Sequence, residues 1–166
     1  TRNILNLKYV TAGTWTLAPD LDPFLFLRWA KYIAVHGSLM AHDMMRYVPL
    51  GYDTTGESKF LSYLIAYFYH IFSFFNKNVD VTYAAIWYPV IMFIFATITF
   101  FLFAQKIFYK KKKEIRYGIA LIATMIFVLV PSLLPRTIAG IPGKESTAFG
   151  LMFLAFYLFL EAFTSE

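Results

Sequence analysis

Three stretches of the chain are nearly unbroken runs of apolar side chains: residues 81–105, 117–135 and 147–163. Asp80 and Lys106 bound the first, Pro131 and Pro135 close the second, and the third carries no charge before Glu161. A bilayer span needs about 20 mostly apolar residues, so all three are predicted as transmembrane helices. Residues 60–75 form a fourth apolar run, shorter and set with Tyr63, Tyr67, Tyr69 and His70. Tyrosine rings favour the half-wet membrane boundary, which predicts a helix lying at the surface rather than a span. Upstream the pattern turns amphipathic. Over 23–36, Arg28 and Lys31 share one helical face, and Phe26, Ala30, Ile33 and Ala34 share another. Asp22 offers an N-cap, Pro23 suits the first helical position, and Gly37 marks the stop. Residues 44–58 contain Pro49, Gly51, Asp53, Thr54, Thr55 and Gly56 and read as a loop.

Composition leads to the same class. Of 166 residues, 59% are hydrophobic and 15% charged, against about 45–50% and about 25% in soluble domains. The 19 Phe and 12 Tyr are too many for one small soluble core. Disorder is excluded, because a disordered chain is polar and poor in aromatics. The lack of any Cys excludes a disulfide scaffold and thiolate-held zinc or iron–sulfur centres. The predicted fold is all-α: a polytopic transmembrane helical protein with extracytoplasmic helices.

The net charge is +5, and its placement points away from nucleic acid. Six of the fifteen basic residues lie between Lys106 and Arg116, Lys110 to Lys113 among them. A basic cluster between two spans reads as a cytoplasmic flank, in contact with anionic lipid heads. Sidedness follows by parity. Residues 1–80 form an extracytoplasmic first loop, 81–105 cross inward, 106–116 are cytoplasmic, 117–135 return, 136–146 form an extracytoplasmic second loop, and 147–163 cross again. If 60–75 spanned, the polar clusters at 20–57 and 136–146 would sit on opposite sides. The chain opens at Thr1 and closes on an apolar run, which reads as a piece of a longer protein.

Few polar residues lie near the predicted membrane. Asp22 serves either as a helix cap, worth about 1 kcal/mol, or as an oxygen ligand for a hard divalent cation. Asp20 stands two residues earlier. His42 and Asp43 are followed by Arg46, Tyr47, Pro49 and Gly51. Arg136, Lys144 and Glu145 lie between two predicted spans, where charges are costly and often functional. A solvated interhelix loop is the plain alternative.

Two of these segments together resemble a known family. Leu21-Asp22-Pro23-Phe24 through Arg28, then His36-Gly37, His42-Asp43 and Asp43-x-x-Arg46-Tyr47-x-Pro49-Leu50-Gly51 is similar to the first external loop of the oligosaccharyltransferase catalytic subunit. Arg136-Thr137-Ile138-Ala139-Gly140, followed by Glu145, resembles that family's second external loop, in which such a segment precedes a two-carboxylate motif. The order of the segments and the pair of spans between them also agree. The resemblance implies a membrane glycosyltransferase domain, of an archaeal-like type. Such enzymes move an oligosaccharide from a polyprenyl (pyro)phosphate carrier to the side-chain amide of Asn in Asn-x-Ser/Thr, with Mn²⁺ or Mg²⁺ as cofactor. It implies Asp22 and Glu145 as catalytic, metal-binding carboxylates, and Arg136, His42, Asp43, Arg46 and Lys144 as substrate-binding residues. It implies partners as well: the lipid-linked donor, an acceptor protein and membrane lipid. The site would face outside at a plasma membrane, or the lumen at the endoplasmic reticulum. Residues 1–166 alone are expected to be inactive, since the family's remaining site residues lie elsewhere. One departure stands out: the first carboxylate of the second motif falls on Gly143. Asp20 or Asp43 would then have to substitute, or Glu145 reach further. Another polyprenyl-phosphate-sugar glycosyltransferase, such as a protein mannosyltransferase, shares the layout. An inactive paralogue or scaffold subunit is the reading Gly143 favours.

Overall fold

A computed structural model describes residue 17, residues 21–131, residue 133 and residues 137–164. Asp20 and Arg136 lie outside the described residues. Within them the chain forms helix α1 (Leu21–His36), a two-stranded hairpin β1 (His42–Asp43) and β2 (Tyr52–Asp53), and helices α2 (Phe60–Phe75), α3 (Val81–Ile107), α4 (Lys113–Leu129) and α5 (Lys144–Thr164). The predominantly helical fold agrees with the sequence reading. The short hairpin is an addition, set in part within the segment read as a loop. Its strands pair antiparallel, His42 with Asp53 and Asp43 with Tyr52. Between them the chain turns through Tyr47 (φ 53°) and Gly51 (φ 77°), and the Tyr47 carbonyl accepts from the N–H groups of both Leu50 and Gly51.

Local chemistry sets the helix ends. Gly37 adopts φ 79° and donates its N–H to Ile33 at 2.7 Å, a left-handed cap that closes α1. Asp80 caps α3, accepting from Val81 N at 2.7 Å and Thr82 Oγ1 at 2.6 Å. Helix α4 begins at Lys113 and stops at Leu129. Val130 is extended (φ −59°, ψ 121°), the conformation that a following proline, here Pro131, imposes on its neighbour.

Helices α3, α4 and α5 pack side by side. Contacts step along α3 and α5 in the same direction: the Tyr88 hydroxyl bonds Thr147, Phe100 meets Phe153, and Lys106 pairs with Glu161 at 2.6 Å. The two helices therefore run parallel, with α4 returning between their ends. Small residues allow the approach, as helix packing in membranes favours: Ala96, Thr99, Ser146, Thr147 and Gly150 are buried. Phe100, Phe127 and Phe153 then tie all three helices together, the closest ring centroids 4.4 Å apart.

Helices α3 and α5 are long and apolar enough to cross a membrane. A core helix of a soluble protein is mostly buried, whereas only 11% of the apolar window of α5 is buried inside the chain. Its remaining surface suits lipid or neighbouring helices.

At the other end of the bundle, α1 and α2 pack on the first turns of α3. Phe26, Leu27 and Ala30 of α1, Leu61 and Ile65 of α2, and Val81, Ala85 and Ile86 of α3 form one buried cluster. Ala139 joins it, and Gly140 N donates to the Ile86 carbonyl at 3.3 Å. The segment before α5 is thereby fixed beside α1.

Candidate active-site cavity

Helix α1 presents Asp22, Leu25, Phe26 and Trp29 along one face, the i, i+3, i+4, i+7 spacing of a helical stripe. That stripe forms one wall of a cavity of about 250 Å³. The opposite wall is Ile141, Pro142, Gly143, Lys144 and Glu145, where the second loop enters α5. Arg46 and Glu57, from the hairpin region, complete it. The structure thus brings together Asp22, Arg46, Lys144 and Glu145, residues separated by up to 123 positions in the chain (145 − 22).

Each polar side chain has an identifiable setting. Asp22 lies in the first turn of α1 and is exposed. Glu145 occupies the first turn of α5, where the positive end of the helix dipole favours a carboxylate. Lys144 places its Nζ 5.6 Å from the centre of the Phe26 ring. Arg46 lies 4.0 Å over the Tyr52 ring and 5.9 Å from that of Trp29. Its Nη1 has no hydrogen-bond acceptor and lies 3.8 Å from Glu57 Oε1. Glu57 also accepts from the Tyr52 hydroxyl at 2.6 Å. That bond to a carboxylate, with some burial, raises the Tyr52 pKa above its ordinary 10.0.

His42 and Asp43 do not reach this cavity. Successive strand residues point to opposite sides, and accordingly His42 is exposed and Asp43 buried. Both border a groove on another flank of α1, beside Arg28, Lys31 and His36. Asp43 is 1% exposed. It pairs with Arg28, accepts from Trp29 Nε1 at 3.1 Å, and takes the Met45 N–H at 3.0 Å. Its oxygens therefore hold the hairpin against α1. Arg136 falls outside the described residues.

Sequence reasoning missed Trp29, Glu57 and Tyr52. Trp29 was accessible from spacing, since it follows Asp22 by seven positions on one helical face. Glu57 and Tyr52 carry no local signal; their roles come from the turn that folds them onto Arg46.

The cavity is lined by three carboxylates, Asp22, Glu57 and Glu145, and two cations, Arg46 and Lys144, with neither thiol nor imidazole. Among the described residues no three His, Asp or Glu side chains gather closely enough to hold a metal ion. Asp22 and Glu145 line the cavity together with a third carboxylate, Glu57.

No solved structure matches the chain. The family described as Oligosaccharyl transferase STT3, N-terminal, matches residues 9–166. That range takes in both polar segments, the cavity they form and every described helix, so the chain belongs to the oligosaccharyltransferase catalytic-subunit family, whose members are membrane-embedded glycosyltransferases.

Proposed function

We propose that this chain forms part of an oligosaccharyltransferase that moves a glycan from a polyprenyl (pyro)phosphate carrier to the side-chain nitrogen of Asn in Asn-x-Ser/Thr. The observation that carries the reading is the meeting of Asp22 from α1 and Glu145 from α5 on one cavity at one end of the helical bundle. The lysine run occupies the opposite end, between α3 and α4. By the preference of basic flanks for the cytoplasm, the cavity end is extracytoplasmic, where a lipid-anchored donor and a translocated peptide meet.

In the reaction, the bond between the anomeric carbon and the phosphate oxygen breaks, and a carbon–nitrogen bond to Asn forms. The leaving phosphate takes the electron pair, and the amide nitrogen gives up one proton. Arg46, whose Nη1 makes no hydrogen bond beside its ion pair with Glu57, and Lys144 pair with phosphate oxygens, since charge-assisted bonds are the strongest available for that group. A carboxylate at the cavity accepts an N–H of the Asn amide, turning the nitrogen lone pair out of conjugation and receiving the proton. Asp22 and Glu145 would hold the divalent ion, which supplies neutralisation of the charge developing on the leaving group.

The test uses the full-length protein in membranes, with a lipid-linked oligosaccharide, an Asn-x-Thr peptide and Mn²⁺. Glycopeptide formation is expected in the wild type, and a fall of about a hundred-fold or more in both Asp22→Ala and Glu145→Ala, the scale for losing charge stabilisation in a transition state. Undiminished transfer by Asp22→Ala would remove that residue from the site. No transfer by the wild type with any divalent ion would refute the assigned reaction.

A further inference from the structure

Glu57 stands beside a cation that it does not fully bind. Its Oε1 is 3.8 Å from Arg46 Nη1, beyond hydrogen-bond reach. The same Oε1 accepts from the Tyr52 hydroxyl at 2.6 Å. Nη1 is buried and has no hydrogen-bond acceptor, an arrangement that is costly and calls for a reason. Rings hold Arg46 instead, that of Tyr52 at 4.0 Å and that of Trp29 at 5.9 Å. Tyr52 therefore touches both members of the pair. Its ring carries the guanidinium, and its hydroxyl takes the carboxylate oxygen nearest to that guanidinium. The bond to Glu57 raises the Tyr52 pKa above 10.0, so the hydroxyl keeps its proton and remains a donor at neutral pH.

We propose that Tyr52 is a positioning residue that holds Glu57 back from Arg46 and so keeps the guanidinium able to bind an anion in the cavity. This rests on the reading of Arg46 as a partner of the donor's phosphate. Were Arg46 closed in a full ion pair, phosphate would first have to displace the carboxylate. At 3.8 Å, Glu57 still offsets the charge of Arg46 when no anion is bound, without occupying Nη1.

The test measures transfer by the full-length protein in membranes with the lipid-linked oligosaccharide varied, beside thermal unfolding of each variant. Tyr52→Phe keeps the ring against Arg46 and removes only the hydroxyl, freeing Glu57 to close on Nη1. Its donor KM should rise about ten-fold, the scale of one hydrogen bond to a charged group. Its kcat should change little, since Arg46 is on the phosphate once donor saturates. Glu57→Gln keeps an acceptor for Tyr52 and removes the competing charge, so its donor KM should match the wild type or fall below it. The double variant should return to the KM of Glu57→Gln, because the hydroxyl then has nothing to hold back. A purely structural role for the hydroxyl would leave the rise in place in the double variant. That result, a wild-type KM in Tyr52→Phe, or a raised KM in Glu57→Gln would each overturn the proposal; the last needs no Tyr52 variant that folds. Arg46→Gln separates the two readings, and its donor KM should rise about ten-fold or more. A wild-type KM there removes Arg46 from phosphate binding and this proposal with it. A raised KM there beside an unchanged Tyr52→Phe removes this proposal alone. Absence of transfer in the wild type would remove the assigned reaction and this proposal together.

Discussion

Asp43 separates two accounts of the first loop. The resemblance implies a substrate-binding residue; the structure gives it a full set of internal partners. Removing its carboxylate in Asp43→Ala takes away the acceptor for Trp29 Nε1, which is buried, and for the Met45 N–H. An orphaned buried donor costs about 1–3 kcal/mol. Arg28 also loses its ion pair. Its side chain is 28% exposed, so water recovers part of that loss, and this contribution is discounted accordingly. The total is about 3 kcal/mol, at the low end of the range for breaking a buried pair from one side. Asp43→Asn keeps the shape and one acceptor oxygen and should cost about 1–2 kcal/mol. Thermal unfolding of the full-length protein in detergent should therefore rank wild type above Asp43→Asn above Asp43→Ala. The KM for the lipid-linked donor should change little in the protein that remains folded. An Asp43→Ala variant that melts with the wild type while its donor KM rises about ten-fold, a change of about 1.4 kcal/mol, would refute the anchoring role.

Two further outcomes follow from the packing. Gly150→Val should destabilise the contact between α3 and α5 by about 1–3 kcal/mol, because even a Cβ at 150 would run into the Phe95 ring and lie 3.5 Å from Ala96 N; unfolding at the wild-type temperature would show that the helices are free to separate there. Desolvation raises the Asp80 pKa, but its bonds to Thr82 and Val81 and the charge of Lys31 outweigh that and hold it below the ordinary 3.8. A carboxylate with a depressed folded pKa stabilises fully above its unfolded value and loses that contribution as pH falls through the folded value. Asp80→Ala should thus cost about 1 kcal/mol near neutrality, and the difference from wild type should close below about pH 4, near the unfolded carboxylate pKa; a gap independent of pH would mean the cap is not electrostatic.

What was legible in the sequence is what neighbouring residues decide. Gly37 closes α1 because only the chain's own next turn is involved. The apolar runs became helices because burial away from water acts on each residue separately. The separation of His42 from Asp43 was not legible, since it needs the register of a two-residue strand. The capture of Arg46 by Tyr52 and Glu57 depends on a turn at Tyr47, a residue type that carries no preference for the left-handed region. Gly143 was visible as a departure from the resemblance, whereas the nearness of the Glu145 carboxylate to it was not.

The first turns of α3 act as the ruler for the site, although they carry none of its polar groups. Lys31 of α1 pairs with the α3 cap, Asp80, at 3.6 Å. Val81, Ala85 and Ile86 bury the apolar faces of α1 and α2, and the Ile86 carbonyl holds Gly140 at 3.3 Å. Asp22 is thus placed through α1 and Glu145 through the segment that follows Gly140, both measured from one helix. A cavity built this way depends on helix register more than on loop composition.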